Sequence, residues 1–253
     1  MAREHASAGD PTSSLVLLWR TPGARESPSG LGPDRIVQGA IELADADGLS
    51  AVSMRRVADR LGAGTMSLYT HVPGKAELLD AMLDVVLAET ARPQDVPGGW
   101  RGRLEIVATE NLALLRRHPW ILEVDIGRPP LGPNMIAKYD YELRAVEGIG
   151  LTDLEMDAVV TLVLSHAAGA ARTTADADGA REDTGLTSGQ WWNRSAPVLH
   201  QFLTPDRFPL AVRVGVAVAE ANDGAHDPDH AFSFGLQRLL DGIEGYLRRR
   251  DAG

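Results

Sequence analysis

Cysteine is absent from this 253-residue chain. Disulfides, thiol nucleophiles and Cys-ligated zinc are therefore excluded, and a reducing compartment such as the cytoplasm is expected. Aromatic residues are scarce at 5%, so the interior has to be built mainly from Ala, Leu and Val. Long apolar runs are also missing. The longest near the N-terminus is Leu15 to Trp19. A bilayer span needs about twenty residues, and a secretory leader needs a longer apolar stretch behind a basic start. No membrane partner is expected. Net positive charge is lacking too: 25 Lys+Arg stand against 35 Asp+Glu, a formal charge of −10. Over the whole chain, that balance speaks against a grip on a polyanion, because phosphate binding needs a cationic surface.

What is present is a composition of 44% hydrophobic and 24% charged residues, which places the chain among globular proteins rather than disordered ones. Apolar residues recur at helical spacing along most of its length, and no alternating strand of any length competes. The fold class is all-α. Residues 1–32 are rich in Ser, Gly and Pro and are expected to form a flexible arm, with only Leu15 to Trp19 able to dock. Helices are expected at about 33–47, 53–61, 65–71, 75–89, 100–117, 133–148, 153–173, 188–203, 206–221 and 229–250. The acidic stretch 174–187 reads as a solvated loop. The breaks between helices divide the chain into the arm at 1–32, a first helical domain at 33–82 and a second at 83–253.

The informative segment is 53–75. Ser53 is a good N-cap, and Val52 and Val57 are placed as a hydrophobic staple. Gly62 stops the first short helix, and a second starts near Thr65. Two short helices joined by a glycine-containing turn form a helix-turn-helix plan. Ala58 is small where the helices approach, and Leu68 fills the gap between them. Val57, Leu61, Leu68 and Val72 take core positions. The other face keeps Arg55, Arg56, Arg60, Thr65, Ser67, Tyr69, Thr70, His71 and Lys75. With Asp59 the only acid, the segment carries +3. Hydroxyls and a Tyr beside Arg and Lys suit base edges and phosphate oxygens.

Here the sequence resembles the TetR family. The resemblance runs from Ile36-Val37 through Gly48-Leu49, Ser53-Met54-Arg55-Arg56-Val57-Ala58, Leu61-Gly62, Gly64 to Val72, and Lys75 to Leu79-Asp80. The later run Phe234-Gly235-Leu236-Gln237-Arg238-Leu239-Leu240 is similar to the last helix of its tetracycline-repressor branch. The resemblance implies a homodimer on a palindromic double-stranded operator, released by a small-molecule effector. It implies that Arg55, Thr65, Met66, Ser67 and Thr70 face the major groove, and that Tyr69, His71 and Lys75 meet phosphates. Thr70 stands where tetracycline repressors carry Trp, and Thr65 where they carry Gln, so a different operator sequence is implied.

The effector is less legible. Tetracycline repressors bind a drug–magnesium chelate through a His, an Asn and a Phe, with a second His on the metal. The aligned positions here are Ala91, Val107, Asn111 and Asp125, so that His set is not reproduced. Candidate pocket residues are Asn111, Trp120, Asp125, Met135, His166 and Trp192. Helix 153–173, with its small residues from Ala167 to Ala171, and the last helix are expected to form the dimer surface. A regulator without a small-molecule effector is the alternative. A helical enzyme is the remote one: His118, Asp125 and His166 are its only candidate metal set, and HExxH, GxSxG and GxxxxGK[ST] are absent. No cofactor or resident metal is expected. The charge then divides as 0 in the arm, −2 in 33–82 and −8 in 83–253, so the acidic total belongs mostly to the effector domain.

Overall fold

A computed structural model of the protein describes residues 4–21, 30–221 and 227–251. The elements are β1 (Glu4–His5), α1 (Pro11–Leu18), α2 (Pro33–Asp47), α3 (Met54–Leu61), α4 (Thr65–Tyr69), α5 (Lys75–Leu87), α6 (Gly99–Arg117), β2 (Val124–Asp125), α7 (Pro133–Arg144), α8 (Asp153–Thr184), α9 (Ser188–Leu199), α10 (Pro209–Ala221) and α11 (Pro228–Asp251). The all-α class holds, with one addition: β1 and β2 form a two-residue parallel pair.

Two apolar cores organise the chain. The first gathers Ile36, Val37, Ala40, Val57, Ala58, Leu68, Val72, Leu78 and Met82, and extends to Leu17, Leu18, Trp120 and Val124. The second gathers Leu104, Val107 and Ala108 of α6, Val160, Val163 and Ala167 of α8, and Phe232, Leu236 and Leu240 of α11. The boundary expected at 82/83 falls inside α5, whose Leu83 and Val86 still belong to the first core.

Local chemistry explains most helix ends. Pro33 opens α2 at a position where a missing N–H costs nothing. Ser53 accepts a hydrogen bond from the Arg56 N–H and caps α3. Gly62 ends α3 at φ 65°, a left-handed conformation that favours glycine. Pro119 follows His118 and starts a short 3-10 turn, so α6 ends at Arg117 with His118 as its cap. Several helices are shorter than their spacing suggests. α4 stops at Tyr69 because the Thr70 hydroxyl donates back to the Ser67 carbonyl at 2.7 Å, and because Val72 precedes Pro73, which disfavours helix. α7 stops at Arg144, before Gly148 and Gly150 at φ 74° and 91°. α10 begins only at Pro209.

Two expectations need correction. The flexible arm is ordered over residues 4–21. Asp10 caps α1, and Ser14, Leu17 and Leu18 are buried against the first core; residues 1–3 and 22–29 of that arm lie outside the described residues. The loop expected at 174–187 is mostly helix, since α8 runs on to Thr184. Its Ala-rich sequence carries no proline. The hydroxyls of Thr173, Thr174 and Thr184 donate to carbonyls four residues back, and Gly185 ends the helix at φ 69°. By length and composition α8 is also long and apolar enough to cross a membrane. In the structure Val160, Val163, Ala167 and Ala171 pack it against α6 and α11.

The start of α8 carries a carboxylate held by several donors. Thr152 and Glu155 form a capping box, and Glu155 also accepts from Tyr246 and Arg250 of α11. The Thr152 backbone bond, then Tyr246, Thr152 and Arg250, hold the Glu155 carboxyl down at about 2, against an ordinary value of 4.5. A depressed acid stabilises above its unfolded value and loses that contribution as pH falls towards its folded one. Stability should therefore fall between pH 4.5 and 2, and Glu155→Gln should flatten that part of a melting-temperature profile. A profile equally steep in the variant would remove Glu155 as its cause.

Candidate nucleic-acid interface and effector core

α3 and α4 are held from behind by apolar contacts. Val57, Ala58, Leu68 and Val72 are fully buried. The carbonyl of Ala58 accepts from Ala63 N–H at 3.0 Å, which closes the turn between the helices. At Gly39 of α2 a Cβ would stand 3.0 Å from the end of the Leu61 side chain, so α2 and α3 pack closely there. The helix pair is thus fixed on α2, and its outer face is free to carry chemistry.

That outer face contains the expected residues. Arg55 is exposed, with only a 3.9 Å approach to Asp59 across one turn. Such an exposed pair contributes little. Met66 is 77% exposed, and Ser67, Tyr69 and Thr70 are exposed beside it. Thr65, the first residue of α4, and His71, two residues past its end, are half-buried. The +3 of this segment is partly spent within the domain. Arg56 pairs with Asp47 at 2.7 Å and Arg60 with Glu42 at 2.9 Å, both acids of α2. Arg55 is the arginine of α3 that α2 does not hold.

Lys75, at the start of α5, is placed differently from the expectation of an open cation. Its Nζ donates to Glu4 Oε1 at 2.6 Å. A cavity of about 470 Å³ lies next to this region, between α1 and the end of α4, with Arg20, Arg35, Tyr69, Thr70 and His71 in its wall.

The six expected pocket residues are not brought together. Trp120 belongs to the first core, and its indole N–H donates to Asp45 at 2.8 Å. Asp125 lies on β2, 3.5 Å from His5. Met135 gives its backbone N–H to Asp84 at 2.9 Å. His166 stacks on Phe232 and meets its carbonyl at 2.8 Å. Trp192 sits edge-on to Trp191 on α9. The metal set of the enzyme alternative is likewise dispersed: His118 is buried between Asp45 and Glu89, at 2.7 and 3.1 Å. Among the described residues no three His, Asp or Glu side chains gather as metal ligands.

Asn111 alone leads to a polar centre in the effector core. Its amide donates to the Val107 carbonyl at 2.8 Å and to Glu142 Oε1 at 2.9 Å. Glu142 pairs in turn with Lys138, one turn earlier on α7. Lys138 and Glu142 are 5% and 3% exposed. Burial pushes the Lys138 ammonium below its usual range, against the pull of Glu142. Sequence reasoning missed both, because charges at i,i+4 on a helix usually mark a solvated face.

Comparison with known proteins agrees with this geometry. Residues 36–82 match the family described as "Bacterial regulatory proteins, tetR family", and residues 92–247 match "Tetracyclin repressor-like, C-terminal domain". The HTH-type transcriptional repressor DrrR1 of Streptomyces coeruleorubidus is 43% identical over 251 residues, covering 98% of this chain and 90% of that protein. The Streptomyces coelicolor TetR family protein ActR in complex with actinorhodin has a TM-score of 0.70 at 29% identity, over 86% of this chain and 98% of ActR. The Escherichia coli tetracycline repressor protein class C is 26% identical over 220 residues, 83% of this chain and 90% of that protein.

Proposed function

The chain belongs to the TetR family of bacterial regulatory proteins, and from that premise we propose that it is a ligand-responsive transcriptional repressor. It acts in the cytoplasm as a homodimer on a palindromic operator, and a small-molecule effector releases it. The observation that carries the reading is the two-sided α3–α4 pair. Its inner side is clamped by Val57 and Leu68, and its outer side offers Arg55, Met66, Ser67, Tyr69 and Thr70 to a major groove. Arg55, Thr65, Met66, Ser67 and Thr70 read base edges; Tyr69, His71 and Lys75 contact phosphates.

The homodimer is supported by what a single chain leaves uncovered. Among the described residues, no side chain of α9 or α10 is buried. Trp191, Leu210 and Val214 are exposed there, Phe202 is exposed between the two helices, and Leu162 and Phe234 are exposed on α8 and α11. Apolar area of this kind marks a protein interface, and a two-fold copy of the same surface covers it. Two recognition helices then sit about 34–36 Å apart, one turn of DNA. The ActR complex with actinorhodin supports a small-molecule effector. The effector enters the core around α6 and α7, where Asn111, Lys138 and Glu142 supply polar partners. The remaining pocket candidates, Trp120, Asp125, Met135, His166 and Trp192, serve the packing and capping contacts described above. A ligand that favours one of two dimer states shifts operator affinity by about 1–3 kcal/mol.

The experiment is a pair of substitutions read on a duplex selected from a random pool by the wild-type protein. Lys75→Ala should weaken binding to all sequences and flatten the salt slope by about one unit. Arg55→Ala should cost about 1–3 kcal/mol and relax preference at one base position. If Arg55→Ala left both affinity and preference unchanged, α3 would not be reading bases.

A further inference from the structure

The N-terminal segment reaches the DNA-binding domain through a set of specific contacts. Residues 4–6 run alongside β2, with Glu4 opposite Val124 and Ala6 N–H donating to Asp125 O at 3.0 Å. Ser7 N–H donates to Asp80 Oδ1 at 2.7 Å, and Ser14 Oγ donates to Asp80 Oδ2 at 2.8 Å. Asp80 is fully buried on α5. Farther along, the Trp19 indole N–H donates to the Leu131 carbonyl at 2.8 Å. The segment is therefore a strap. It is fastened to α5 on one side and to residues 124–131, just before α7, on the other.

Glu4 sits at the tip of that strap and holds Lys75 at 2.6 Å. The pair is half-buried, so it is less screened than an open surface pair. An ammonium held by a carboxylate at this distance has to give it up before it can take a phosphate oxygen in the same direction.

We propose that Glu4 is an intramolecular competitor for the operator phosphate, positioned over Lys75 by the strap, so that operator binding breaks the Glu4–Lys75 pair. Glu4 is thereby a positioning residue that lowers operator affinity. Because the strap is fastened to residues 124–131 as well as to α5, a shift between those two parts moves Glu4 relative to Lys75. The strap thus ties one phosphate contact to the segment between β2 and α7. This inference rests on the reading of Lys75 as a phosphate contact.

The test is a double-mutant cycle on the full-length protein, with Glu4→Gln, Lys75→Ala and the double variant. Affinity is measured at low salt on the duplex selected by the wild-type protein. Glu4 is a partly exposed side chain near the terminus, so Glu4→Gln is expected to fold, and circular dichroism checks that it does. Glu4→Gln should tighten operator binding about 2–5-fold, the range set by freeing one partly exposed cation. The gain should disappear in the Lys75→Ala background. If Lys75→Ala weakens binding while Glu4→Gln leaves it unchanged, the competitor is overturned and the phosphate contact stands. If Glu4→Gln tightens binding equally in both backgrounds, the effect is general charge removal and the competitor is overturned. If Lys75→Ala changes nothing, the phosphate contact itself fails and the competitor falls with it.

Discussion

Lys138→Met is expected to destabilise the protein by about 3–5 kcal/mol, the usual result of removing one partner from a buried ion pair. On the order of 10 °C in melting temperature follows for a chain of this size. The reason lies in what remains. Met reproduces the aliphatic stem of Lys138, so little packing is lost. Glu142, however, stays at 3% exposure without its cation, with the Asn111 amide as its remaining neutral donor. One neutral hydrogen bond does not offset the desolvation of a carboxylate. The double variant Lys138→Met, Glu142→Leu should recover most of the loss, because a well-packed apolar pair replaces a buried ionic one without penalty. Asn111 keeps its bond to Val107 in that variant. Denaturant midpoints at fixed protein concentration test both, since any self-association makes stability depend on concentration. A single variant within about 1 kcal/mol of wild type would mean that water reaches the pair. Recovery of stability in the double variant also separates structure from function. A ligand that uses these charges loses its site in a protein that still folds.

The DNA-binding half was legible because its signals are local. Ser53, Gly62 and Pro33 each act within a few residues of themselves, and Val57, Leu68 and Val72 follow a spacing that any amphipathic helix shows. Other features depended on distant partners. Composition made residues 1–32 look mobile, but Leu17 and Leu18 find their cover on α5, some seventy positions later, and Ser14 finds Asp80 there. Nothing near residue 14 announces a buried acid. The stretch 174–184 is polar enough for a loop, yet exposed helix and loop overlap in composition. The Ala content and the lack of proline decide between them. Lys138 and Glu142 show the same limit from the other side: their spacing is that of a surface pair, and the packing of α7 against its neighbours, with Asn111 of α6 bonded to Glu142, buries them. The scattered pocket candidates rest on side-chain chemistry alone. Trp120, Asp125 and His166 each spend that chemistry on a structural neighbour instead.

Leu18→Ala is expected to cost about 2–5 kcal/mol, as a large-to-small change in a packed core does. Val16→Ala, two residues away, should cost almost nothing. The contrast follows from the orientation of α1. Leu18 is 6% exposed and packed into the first core, whereas Val16 is 64% exposed. In a mobile arm the two substitutions would be equivalent, and neither would register beyond about 0.5 kcal/mol. Urea unfolding of the two variants, compared by midpoint at constant slope, decides between a docked helix and a tail. Leu18→Ala indistinguishable from wild type would sink the docked helix. The same variant bears on Glu4, because α1 carries Ser14 to Asp80 and sets where the strap is fastened. Loosening α1 lowers the local concentration of the Glu4 carboxylate around Lys75. Leu18→Ala should therefore tighten operator binding in the same direction as Glu4→Gln and by a smaller factor, while global stability falls. A loss of stability that brings a gain in DNA affinity is not what simple unfolding produces, because unfolding removes the binding surface.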